Sequence, residues 1–81
     1  MRIEESYHSE AEKVAVWGYQ VILASGRIRD LEVLCEDPDG YLWTIDGDLL
    51  LLEESLQHPC LTRQEAVTDA VRYLEKRERF P

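Results

Sequence analysis

"YLWTIDGDLLLLEE", residues 41–54, is the stretch on which the reading of this chain turns. A strand with one wet face alternates apolar and polar side chains, and Leu49–Leu52 does not. Asp46-Gly47 has the composition of a two-residue hairpin turn, so Tyr41–Ile45 and the leucines beyond it read as two antiparallel strands. Upstream, "RDLEVLCE" (29–36) alternates Leu31, Val33 and Cys35 against Glu32, Leu34 and Glu36. "DPDG" (37–40) supplies proline and glycine at the positions of a bulged three-residue hairpin. Residues 31–53 are therefore expected to form a three-stranded antiparallel meander.

Turn geometry assigns the faces, because directly opposed residues share one. Trp43 falls opposite Leu50 and Tyr41 opposite Leu52, while the bulged turn sets Cys35 beside Trp43 and Val33 beside Ile45. One face then collects Leu31, Val33, Cys35, Tyr41, Trp43, Ile45, Leu50 and Leu52, and it is the core face. The other holds Leu34, Leu42, Leu49 and Leu51, with Thr44, and with Glu32 and Glu36 at its margin. Burying a leucine is worth about 1.5–3 kcal/mol, so four left in water are a liability to a small fold. Apolar at the centre and charged at the rim, this is the pattern of a contact surface. Leu34, Leu42, Leu49, Leu51, Glu32 and Glu36 are the candidate partner-binding residues.

The rest of the chain supplies the lid and the flanks. "TRQEAVTDAVRYLEKRERFP" reads as one amphipathic helix over 63–78. Thr62 and Glu65 form a capping box, and Ala66, Val67, Ala70, Val71 and Leu74 recur at helical spacing. "KVAVWGYQVIL" (13–23) is rich in β-branched and aromatic residues and suits a strand near 14–24. A helix from Ser9 to Ser25, stopped by Gly26, is the alternative; it would cover the leucines from within and abolish the contact surface. Residues 1–12 are polar, a short helix opened by "SEAE" (9–12) or a flexible arm. The expected fold is a single α+β domain over 1–81, a small antiparallel sheet packed against one C-terminal helix.

Eighty-one residues bury a thin core, which a disulfide, a metal or a partner commonly supplements. Cys35 and Cys60 are too few for a disulfide framework and match no zinc spacing, which points to a reducing, cytoplasmic setting. No apolar run is long enough to span a bilayer. The net charge is −8; residues 1–54 alone carry thirteen acids against four bases, a balance of −9. Such a field repels phosphate backbones and argues against direct nucleic-acid binding.

Chemistry finds little purchase. Asp37 and Asp39 lie in one turn and Asp46 and Asp48 around the next, at opposite ends of a strand, and each pair is explained by turn chemistry. His58 and Cys60 flank Pro59 before the helix, where a thiolate beside imidazole could be nucleophilic, but no third orienting group is evident. Trp17, Tyr19, Tyr41 and Trp43 could stack on bases, yet they lack a basic surround. No phosphate-binding, dinucleotide or hydrolase motif is present, and no metal, cofactor or small-molecule substrate is implied. The sequence thus points to a non-enzymatic interaction module, a homodimer or an accessory subunit. The alternative is an acidic inhibitor that mimics nucleic acid in a basic groove.

Overall fold

A computed structural model describes residues 1–36 and 40–79, so the expected 37–40 turn lies largely outside the described residues. Four strands, β1 (Arg2–Glu10), β2 (Val14–Ile22), β3 (Ile28–Glu36) and β4 (Gly40–Ile45), precede two helices, α1 (Leu49–Gln57) and α2 (Arg63–Arg79). The strands form one antiparallel sheet in sequence order, an uncrossed meander. An α+β domain with a strand at 14–22 and a C-terminal helix is as expected. Three details differ.

The polar N-terminal segment is neither helix nor flexible arm: it is an edge strand, paired along its length with β2. Every residue of β1 is exposed, so nothing in its pattern of apolar residues betrays it. Its main-chain ladder, rather than side-chain burial, holds it in place. Because β2 is a strand, the helical alternative for 9–25 is also overturned. A bulge between Glu5 and Tyr7 turns Tyr7 onto the face opposite α2, where its ring lies across Gly18. A Cβ at Gly18 would collide with that ring, so glycine leaves the seat into which Tyr7 fits. The Tyr7 hydroxyl then donates to Glu32 Oε2 at 2.7 Å. That bond to a carboxylate, with partial burial, pushes the phenol up to about 12.

The second difference is the register of β3 against β4. Cys35 faces Tyr41, Val33 faces Trp43 and Leu31 faces Ile45, two residues displaced from expectation. An even displacement leaves each side chain on its assigned face. Leu31, Val33 and Ile45 accordingly join Tyr19 and Val21 beneath Ala66, Val67, Ala70 and Leu74 of α2. Thr62 caps α2 by accepting the Glu65 amide at 3.1 Å, and the Glu65 carboxylate takes the Leu61 amide at 3.0 Å.

The third difference concerns the leucines. A turn stands at Asp46-Gly47 but not as a hairpin loop: both residues have positive φ, 52° and 72°, and the Asp48 amide closes onto Ile45 O at 3.0 Å. Beyond it the chain enters a helix instead of a returning strand. Asp48 is the N-cap, accepting the Leu50 amide at 2.9 Å. Leucine, glutamate and glutamine dominate 49–57 and no β-branched residue opposes helix there. Leu49 and Leu51 therefore do not belong to a sheet face.

Helix α1 runs antiparallel to β4 and occupies the place of a fifth strand. Thr44 Oγ1 donates to Asp48 O at 2.6 Å, Trp43 N donates to Ser55 Oγ at 3.2 Å, and Tyr41 and Cys60 exchange backbone bonds at 2.9 and 3.0 Å. The outer edge of β4 is thereby closed without a further strand. Of the four consecutive leucines only Leu51, 7% exposed, enters the core. Leu51→Ala should cost about 2–5 kcal/mol of unfolding free energy, whereas Leu49→Ala, at a site 71% exposed, should stay within about 0.5 kcal/mol of the parent. Urea denaturation of the two variants measures both; equal losses would contradict this placement.

Candidate interaction surface

The sheet has one face under α2 and one under no helix: α2 reaches β3 and β4 from the core side, and α1 reaches β4 alone. On the helix-free face the pairing lines up Val16, Leu34 and Leu42 in one row across three strands. Val16 and Leu34 are half-buried and Leu42 is buried. Val14 lies beside Glu36 in the next row on one side, and Gly18, Glu32 and Thr44 form the row on the other. An apolar band therefore crosses the strands between flanking carboxylates.

Helical geometry extends that band onto α1. Ser55 faces the β4 edge, as its bond to the Trp43 amide requires, and Leu51 is turned about 40° from it toward the α2 side at 100° per residue. Leu52 lies about 60° from Ser55 in the opposite sense, toward the helix-free face, with Leu56 and Leu49 about 100° and 120° round. Leu49, Leu52 and Leu56 thus form a ridge at i, i+3, i+7 spacing. Leu56 is 51% exposed and Leu52 half-buried. The ridge is the wall of a shelf whose floor is Leu42, Leu34 and Val16.

The sequence-derived residues distribute unevenly over this surface. Leu34 and Leu42 share the face assigned to them and stand directly opposite each other, with Glu32 and Glu36 on the same face. Leu49 joins from the helix instead of a strand. Leu51 does not join at all, being turned into the core. Val14, Val16, Leu52 and Leu56 are additions that sequence reasoning does not supply. The spacing of Leu49, Leu52 and Leu56 signals them once the segment is taken as helix, and Val14 and Val16 alternate with the core-facing Trp17 and Tyr19.

Among the described residues, Cys60, Asp46 and Trp17 are engaged within the fold. Cys60 is buried, its Sγ 3.3 Å from Asp69 Oδ2. Burial first, and then the neighbouring Asp69 carboxylate, push its thiol up to about 11, the reverse of what a nucleophile needs. The contributions of Cys60 and Tyr7 to stability share one sign. Each is held neutral, so the stabilisation is complete below the ordinary pKa and disappears as pH rises through about 11 and about 12. A recess of about 410 Å³ lies between Arg29, Asp46, Asp48, Leu51, Tyr73 and Arg77. Its charges are already engaged: Arg29 Nε donates to Asp46 Oδ2 at 2.6 Å and Arg77 Nε to Tyr73 Oη at 3.0 Å. Burial would raise the Asp46 carboxyl, but the Asp30 amide and the Arg29 guanidinium outweigh it and hold it below the usual range. Trp17 stacks on His8 at 5.3 Å and lies under Arg63 at 5.0 Å, so it offers no free platform for a base. Among the described residues no group of three or more His, Cys, Asp or Glu could hold a metal ion, and no helix is long and apolar enough to cross a membrane. The Asp37–Asp39 pair lies outside the described residues.

No protein-family model matches the chain, and no curated protein or solved structure is significantly similar to it.

In a Cys35→Ser background, Cys60 should react with iodoacetamide at pH 8.5 about 100-fold more slowly than free cysteine, as the thiolate fractions dictate. A reaction faster than free cysteine at pH 6 would restore the nucleophile reading.

Proposed function

We propose that this chain is a non-catalytic interaction module that associates with another protein through the shelf formed by its helix-free sheet face and α1. The observation that carries this reading is the exposure of the α1 leucines. Leu49 and Leu56, both on the ridge, are 71% and 51% exposed, on a nine-residue helix that sends one leucine fully into the core. Single exposed leucines are ordinary, but a ridge of them continuous with an apolar sheet face is a surface awaiting a cover. The sheet alone offers about 500 Å² at ~4.8 Å per strand and ~3.3 Å per residue. Adding α1, nine residues long at ~1.5 Å each and ~10 Å wide, brings the footprint to roughly 650 Å², the size of a small or transient interface.

The shelf has the anatomy of an interface, with aliphatic side chains at the centre and Glu32 and Glu36 at the margin. Its function is to dock a partner, as an accessory subunit does. Two thiols outside any disulfide fit a reducing compartment, the cytoplasm. The nucleic-acid-mimic reading draws on the acidic charge alone and leaves the leucines without a role.

A photo-crosslinking side chain placed in turn at 34, at 56 and, as a control, at Ser25 in the β2–β3 turn tests the reading in the cells that produce the protein. Adducts of one discrete mass from 34 and 56, and none from 25, are expected. Absence of adducts at both surface positions, or equal labelling at all three, would overturn it.

A further inference from the structure

The shelf also specifies its occupant, and the inference rests on the docking role just proposed. We infer that the partner presents a cationic amphipathic helix, whose apolar stripe lies on the half-buried Val16 and Leu34 against the Leu52–Leu56 wall.

Charge selects this partner over a second copy of the chain. Besides Arg2, which pairs with Glu4 at 3.1 Å, the described strand positions of the helix-free face carry no base. Asp30, Glu32 and Glu36 all project on that face from β3, on either side of the apolar row. Two copies stacked face to face would oppose carboxylate to carboxylate, each within a molecule of net charge −8. Like charges so placed disfavour association, and the same residues reward a basic rim. Shape selects a helix. A flat sheet face bounded on one side by a helical ridge is the setting in which α2 already lies on the opposite face, beside Leu51 of α1. A partner helix with leucine-like residues at i, i+3, i+4 and i+7 and lysine or arginine along its flanks meets both demands.

The test uses the whole chain and two 18-residue helical peptides, one of leucine and lysine and one of leucine and glutamate in the same pattern. Fluorescence anisotropy in 0.15 M salt gives affinities, and amide shift mapping gives the site. The leucine–lysine peptide should bind at least about tenfold more tightly than its acidic counterpart, with shifts centred on Val16, Leu34, Leu42 and Leu56. The Glu32→Lys/Glu36→Lys variant should reverse that preference. Glu36→Lys alone, at an exposed position whose change leaves the Tyr7–Glu32 bond intact, should at least narrow it. Equal affinity for the two peptides, or shifts centred away from the shelf, would overturn the helix assignment while the crosslinks from 34 and 56 still upheld a docking module. Self-association of the chain through Leu34 and Leu56 would do the same, naming a second copy as the occupant. A failure of peptide binding together with absent crosslinks would remove both.

Discussion

The outer edge of β4 is the constraint on which the rest of the structure depends. A sheet of four strands has two edges, and each leaves main-chain groups without a ladder partner. At β1 the edge is left to water, and its nine residues are polar enough to tolerate that. At β4 the edge is closed from within the chain. The Trp43 amide finds Ser55 Oγ, and the Tyr41 amide and carbonyl find Cys60. One reversal of direction at Asp46-Gly47 brings both back to the strand, Ser55 from the nine-residue helix and Cys60 from the short segment after it. Because Ser55 must face the strand, the orientation of α1 about its axis is fixed, and so is the destination of every leucine on it.

That fixed orientation explains the shelf. With Ser55 on the edge and Leu51 in the core, Leu52 and Leu56 have nowhere to turn but toward the face that α2 does not cover. Part of the molecule's exposed apolar surface thus lies along α1 beside the unlidded half of the sheet. On the opposite side Val21, Leu31, Val33, Ile45 and Leu74 are fully buried. A thin domain of this size gains by sharing apolar surface with a partner. Under the proposed docking role, the acidic rim favours a partner of opposite charge.

Much of this is legible in the residues. The alternation of Leu31, Val33 and Cys35, the turn at Asp46-Gly47 and the capping pair Thr62 and Glu65 locate β3, the reversal and α2. Leu34, Leu42, Glu32 and Glu36 can be placed on one face because parity survives a register error of two. The segment 49–57 reads wrongly as strand because a turn suited to a hairpin is equally suited to deliver a chain into a helix when Asp48 stands next as cap. Four leucines in succession satisfy strand and helix patterns alike, and the local signal that separates them is the absence of β-branched residues. The strand β1 is illegible for a different reason: every side chain of it is exposed, so its pairing rests on main-chain bonds that leave no periodicity.

The shelf exists only if residues 49–57 are a helix with Ser55 against Trp43, and nuclear Overhauser spectroscopy of the isotopically labelled chain reads this directly. Sequential amide–amide contacts through 49–57, together with a contact between the Ser55 side chain and the Trp43 amide, are expected. Cross-strand α-proton contacts pairing Trp43 with Leu50 would mean that the leucines form a fifth strand, and would contradict the account.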